Sequence, residues 1–188
     1  MYRDTSIKDK SRQWKSKDRF RESDLERVTW KDLAKEYGVR YHRQINVDAF
    51  SAAFGGNWPR FMLGPEEGTL DSPLLEKLGN ILSGHTTDSR WLFEYYLVAT
   101  FDIQSDELFV GGQSDLPTAN DQAKCGAGPT YWWPADRAWC VCSDYDLAFT
   151  VVGTTRAALA DLANSDDLEG FEMRLTDRID YKSYTQRD

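Results

Sequence analysis

Histidine is nearly missing from this chain: His42 and His85 are the only two, and cysteine is limited to Cys125, Cys140 and Cys142. A four-ligand zinc site would have to recruit almost every soft ligand present. The pair Cys140-x-Cys142 has neither a two-residue spacer nor a second pair to complete such a site. No metal and no cofactor is therefore expected. An odd cysteine count behind a charged rather than apolar N-terminus argues for reduced thiols and a cytoplasmic location. On a strand, Cys140 and Cys142 would share one face. No apolar run reaches the ~18 residues that span a bilayer, so no membrane association is expected. Walker, GxGxxG and GxSxG patterns are also missing. Gly111-Gly112 and Gly126-Ala127-Gly128 read as loop glycines without a following helix N-terminus, which leaves no phosphate cradle.

What remains is the composition of a folded chain. The 188 residues are 40% hydrophobic and 13% aromatic, enough to bury a substantial core. The net charge of −8 is unevenly spread. Residues 1–21 hold eight Lys/Arg and three acids, net +5, and the remainder is −13. Residues 1–22 read as a basic, flexible arm, and residues 23–188 as one domain. An acidic body repels nucleic acid and membrane phosphates and steers toward basic partners, so nucleic acid could be met only through the arm.

Periodicity predicts helices first and strands later. Ser23 with Glu26 has the spacing of a capping box, followed by Leu25, Val28, Leu33, Ala34 and Tyr37 on one face and Gly38 as a stop. Asn46 caps a short helix with Val47, Phe50, Ala53 and Phe54 inward. Phe61–Leu63 is a short extended piece. Ser72 and Pro73 open a leucine-rich helix that Gly84 closes. Residues 91–98 and 108–110 read as strands, and 113–129 as the longest loop. A hairpin over 138–142 and 147–152 comes next, then a helix capped by Thr154 or Thr155 and an edge strand at 171–175. The sum is α+β: N-terminal helices packed on an antiparallel sheet, with one late helix.

The densest sequence feature is Tyr131-Trp132-Trp133-Pro134-Ala135-Asp136-Arg137-Ala138-Trp139, with three of the seven tryptophans inside eight residues. Pro134 speaks against an ordinary central strand. In extended backbone Trp132 and Trp133 point to opposite faces, which puts one in the core and one outside; Trp139 is expected in the core. Asp144 and Asp146 can hold Mg²⁺ or do acid/base work, but aspartates in a turn more often bond their own backbone. Asp166-Asp167 reads as a solvated loop. His85, just past a helix end, reads as a partner of the last carbonyls rather than as the base for Cys142.

The stretch Trp132-Trp133-Pro134-Ala135-Asp136-Arg137-Ala138-Trp139-Cys140-Val141, then Asp144-Tyr145-Asp146 and Thr150-Val151-Val152-Gly153, resembles a family of uncharacterised bacterial proteins, most familiar from actinobacteria. Pro65–Leu70 and Gly84-His85-Thr86-Thr87 fit it too, so the likeness covers roughly residues 60–175. Tyr95–Val98 departs from it, standing where a Trp/Gly-rich segment would follow. The general look is similar to immunity proteins of polymorphic toxin systems. That resemblance implies a non-enzymatic protein that occludes a cognate toxin. On that expectation Trp132, Trp133, Asp136, Arg137, Asp144, Asp146, Asp166 and Asp167 form the partner-binding set. The alternative is an enzyme or small-ligand protein with the Trp/Asp/Arg corner as its pocket.

Overall fold

The computed structural model describes residues 1–7, 20–65, 67–95, 107–121 and 128–177. The chain divides into two compact units, one of Met1–Pro65 with Met173–Asp188 and one of Glu66–Glu172. Both sheets are antiparallel and are accompanied by helices, one of which comes late in the chain, so the class is α+β. The single domain read over residues 23–188 thus meets a chain split at 65/66 and 172/173.

In the first unit, strands β1 (Tyr2–Asp4), β2 (Leu25–Arg27) and β3 (Met62–Leu63) form a sheet in the order β2-β1-β3. The expected flexible arm therefore starts with the central strand of a sheet; its residues 8–19 lie outside the described residues. Pairing of β1 with β2 also moves the first helix. Leu25, Glu26 and Arg27 sit opposite Asp4, Arg3 and Tyr2, so the box at Ser23 and Glu26 cannot form. Helix α1 spans Trp30–Tyr37 instead. Thr29 caps it, taking the Asp32 amide at 3.0 Å and donating its hydroxyl to Asp32 at 2.7 Å. Gly38, at φ 67°, ends it in the left-handed conformation that suits glycine.

Asn46 caps a single 3-10 turn, Val47–Phe50, with Val47 outside and Phe50 buried. Ala53 is also exposed. Aromatic rings then build the unit's core: Phe54 lies 4.7 Å from Tyr37, 5.4 Å from Trp58 and 6.3 Å from Phe61, and Trp30 stacks on Phe50 at 5.8 Å. Val28, Leu33, Ala34 and Met62 close it. The returning segment joins this unit through Asp177, which accepts from Arg43 at 2.7 Å and from the Arg174 amide at 2.9 Å. The edge strand expected at 171–175 does not form. It pairs with neither sheet, and Phe171, Met173 and Leu175 are all exposed.

The second unit is a five-stranded sheet under helices. Helix α2 (Ser72–Ser83) is capped by Asp71, one residue earlier than read, and carries Pro73 in its first turn. Strands β4 (Trp91–Tyr95), β5 (Glu107–Gly111), β6 (Tyr131–Pro134), β7 (Cys140–Cys142) and β8 (Val151–Gly153) lie in the order β5-β4-β6-β7-β8. Residues 96–98, expected to extend β4, lie outside the described residues. The loop read over 113–129 instead opens with a 3-10 turn at Gln113–Asp115 and helix α3 (Leu116–Asp121), and its residues 122–127 lie outside the described residues. Gly111-Gly112 therefore does precede a helix, but the Gly112 amide is taken by Asp115 at 2.8 Å. Thr155 caps the late helix α4 (Arg156–Ala163), accepting from Ala158.

Alternation along β4 turns Trp91, Phe93 and Tyr95 inward. They meet Trp132, Trp139, Val141 and the helix residues Leu75, Leu78, Leu82, Leu116 and Ala119. Trp91 lies 5.7 Å from Trp132 and 4.9 Å edge-on from Trp139, and Trp132 and Trp139 are 5.2 Å apart. Tyr95 donates its hydroxyl to the Ala119 carbonyl. Gly79 of α2 leaves room for α3: a Cβ there would sit 2.6 Å from Leu116 Cδ2.

Candidate functional site

The aromatic run splits as the two-residue period of a strand requires. Trp132 is 1% exposed, Trp139 is buried, and Trp133 is half-buried on the opposite face. Trp132 is thus core and leaves the surface set. Pro134 does not exclude a central position: β6 lies between β4 and β7. Its ladder with β7 covers only Tyr131 and Trp132, and Pro134 ends the strand beyond it.

Asp136 holds the corner that follows. It accepts from the Thr86 hydroxyl at 2.8 Å, the Thr87 amide at 3.0 Å and the Ala138 amide at 3.1 Å. The Thr87 amide and the Thr86 hydroxyl lower its pKa to about 2, so it is a carboxylate through the physiological range. Arg137 takes the left-handed conformation at φ 59° and lies exposed. No ion pair joins it to Asp136. Asp144 binds the Asp146 amide at 2.9 Å in the turn after β7, the backbone role expected of an aspartate there. Asp136 and Asp144 therefore flank opposite ends of β7. Asp166 and Asp167 follow α4, where Asp167 meets Lys77 at 3.0 Å.

The eight sequence-assigned residues do not converge. With Trp132 in the core and Asp136 and Asp144 apart, they cannot line one pocket. Among the described residues, no three His, Cys, Asp or Glu side chains are grouped to hold a metal ion. His85 Nε2 meets Asp161 of α4 at 2.7 Å rather than a helix carbonyl. Burial pushes the Cys140 and Cys142 thiols up, which keeps them protonated near neutrality and weak as nucleophiles. Charge on Cys142 in turn raises the pKa of the Tyr131 hydroxyl.

Sequence reasoning missed the outer face of the five-stranded sheet. Trp133 stands opposite Leu92, which stands opposite Val110; beside that row, Tyr131 stands opposite Glu94, which stands opposite Leu108. Leu108 is 54% exposed, Val110 57% and Tyr131 38%. Cys140 and Cys142 extend the same face on β7. A signal was present: Leu108-Phe109-Val110 is apolar at every position, as a strand covered on both faces would be.

The two units also carry opposite charge. The first holds 18 Lys/Arg against 12 Asp/Glu, net +6, and the second holds 5 against 19, net −14. No helix among the described residues is long and apolar enough to cross a membrane. Compared with protein-family models, curated proteins and solved structures, the chain matches none.

Proposed function

We propose that the protein is a non-enzymatic binding module of the cytoplasm, of the immunity type, that neutralises a cognate basic toxin by covering it. The supporting observation is the concentration of acid in Glu66–Glu172, where 19 carboxylates face 5 cations. Such a field raises the encounter rate with a basic partner and disfavours nucleic acid and anionic lipid. Asp144, Asp146, Asp166 and Asp167 supply charge along the unit's loops, and Trp133 supplies an apolar anchor.

The test is co-expression with the products of neighbouring genes, followed by copurification and affinity measurement. One basic protein is expected to copurify and to be released as salt rises, because screening weakens contacts between exposed charges. Trp133→Ala with Asp146→Lys should weaken the complex by about tenfold or more, as loss of an interface anchor does. An affinity indifferent to salt and to both substitutions would overturn the reading.

A further inference from the structure

A sheet packed on one side and solvated on the other alternates apolar-in with polar-out. Strands β5 and β6 do not. Phe109 packs inward, 5.8 Å from Phe93, while Leu108 and Val110 on the other side remain more than half exposed. Tyr131 and Trp133 continue that apolar surface across β6, with Leu92 between Val110 and Trp133. Contiguous apolar surface of this kind marks a place of contact. One charge stands inside it: Glu94, flanked by Leu108 and Tyr131, with no cation paired to it among the described residues.

Charge decides what covers this face. A second copy docking face to face through the same sheet would bring two units of net −14 together. A phosphate-bearing surface would add to the same repulsion. An apolar surface docking here would also strip water from Glu94, and an unpaired carboxylate in such a place is strongly destabilising. The occupant therefore has to bring a cation to that point. Tyr131 and Trp133, both aromatic and both on the face, suit a guanidinium further.

We infer that the outer face of the β5-β4-β6-β7-β8 sheet is the docking surface for a cationic protein. Glu94 takes an arginine or lysine of the partner, and Trp133, Leu92 and Val110 form the apolar contact. This rests on the reading of the second unit as the cover of a basic partner. It centres the contact on the sheet face that carries Trp133, with the loop carboxylates around it.

Cys140 and Cys142 lie on the same face and serve as reporters. The experiment alkylates the full chain with iodoacetamide and follows each cysteine by mass spectrometry. It is run with and without a synthetic peptide of alternating arginine and tryptophan, and with a serine–tryptophan peptide as the neutral comparison. The cationic peptide is expected to slow labelling of Cys140 and Cys142 several-fold, and the neutral one to do so only weakly. Glu94→Gln should weaken the cationic peptide by about tenfold, the size of one charge-assisted contact. Trp133→Ala should weaken it as well. Binding with no protection of either cysteine would overturn the docking face and leave the charge-driven reading standing. Equal protection by the neutral peptide would uphold an apolar site but overturn both the cationic occupant and the charge-driven reading. No binding of either peptide would overturn both proposals. A dimer in sedimentation that Trp133→Ala dissolves would make the occupant a second copy and overturn the inference.

Discussion

The two units are built alike inside and differ outside. Each encloses a cluster of stacked and edge-on rings, around Phe50 and Phe54 in the first and around Trp91, Trp132 and Trp139 in the second. Each has a helix with a side-chain cap at its N-terminus, Thr29 in one and Asp71 in the other. The surfaces, by contrast, carry +6 and −14. Aromatic density is thus a property of the interior common to both units and does not mark a site. What separates the units is charge, together with a sheet face that the described helices of the second unit leave uncovered.

The largest effect that would break this likeness is in the cores. Trp132→Ala and Phe50→Ala should each cost about 3–5 kcal/mol, measured by chemical denaturation. Trp133→Ala, on the outer face, should cost far less than Trp132→Ala. Equal losses at these two neighbours would mean that both faces of the sheet are packed, and the contrast would fail.

A smaller effect compares the helix caps. Thr29→Ala removes the acceptor of the Asp32 amide, and Asp71→Ala that of the Leu74 amide. Each should lower stability by about 1 kcal/mol. A negligible loss at Thr29 alone would show that α1 is held by tertiary packing and not by its cap.

The smallest effect concerns the corner at Asp136, whose carboxylate accepts from two hydroxyls and two amides, where Asp4 of the first unit accepts only the amide and hydroxyl of Ser6. Its folded pKa is lowered from 3.8 to about 2. The contribution to stability is therefore complete above the unfolded value and is lost as pH falls through the folded one. Carboxyl NMR titration should place the Asp136 midpoint near 2, and Thr86→Val should move it upward. A midpoint at the ordinary carboxylate value would show that the corner is not held by these bonds.

Legibility in the sequence follows the range of the interactions involved. Helix α2 could be read locally, because Pro73, the leucine spacing and Gly84 all fall within thirteen residues. The opposite facing of Trp132 and Trp133 was equally readable, since it needs only an extended backbone. The cap read at Ser23 lies instead at Thr29, because β2 pairs with β1, more than twenty residues away. The first sheet was invisible for the same reason: its strands are two or three residues long and pair at a distance. Helix α3 is too short for periodicity to show. The outer face escaped because apolar strand residues look the same whether a second layer covers them or not.

The central claim is that the acid of the second unit exists to cover a basic macromolecule. The most direct measurement is the dissociation constant of the full chain with its copurified partner, followed from low to high salt. A constant that weakens steadily with salt, and weakens again in Glu94→Gln, is the predicted result. A constant flat across the salt series, or a partner of net negative charge, would contradict the account.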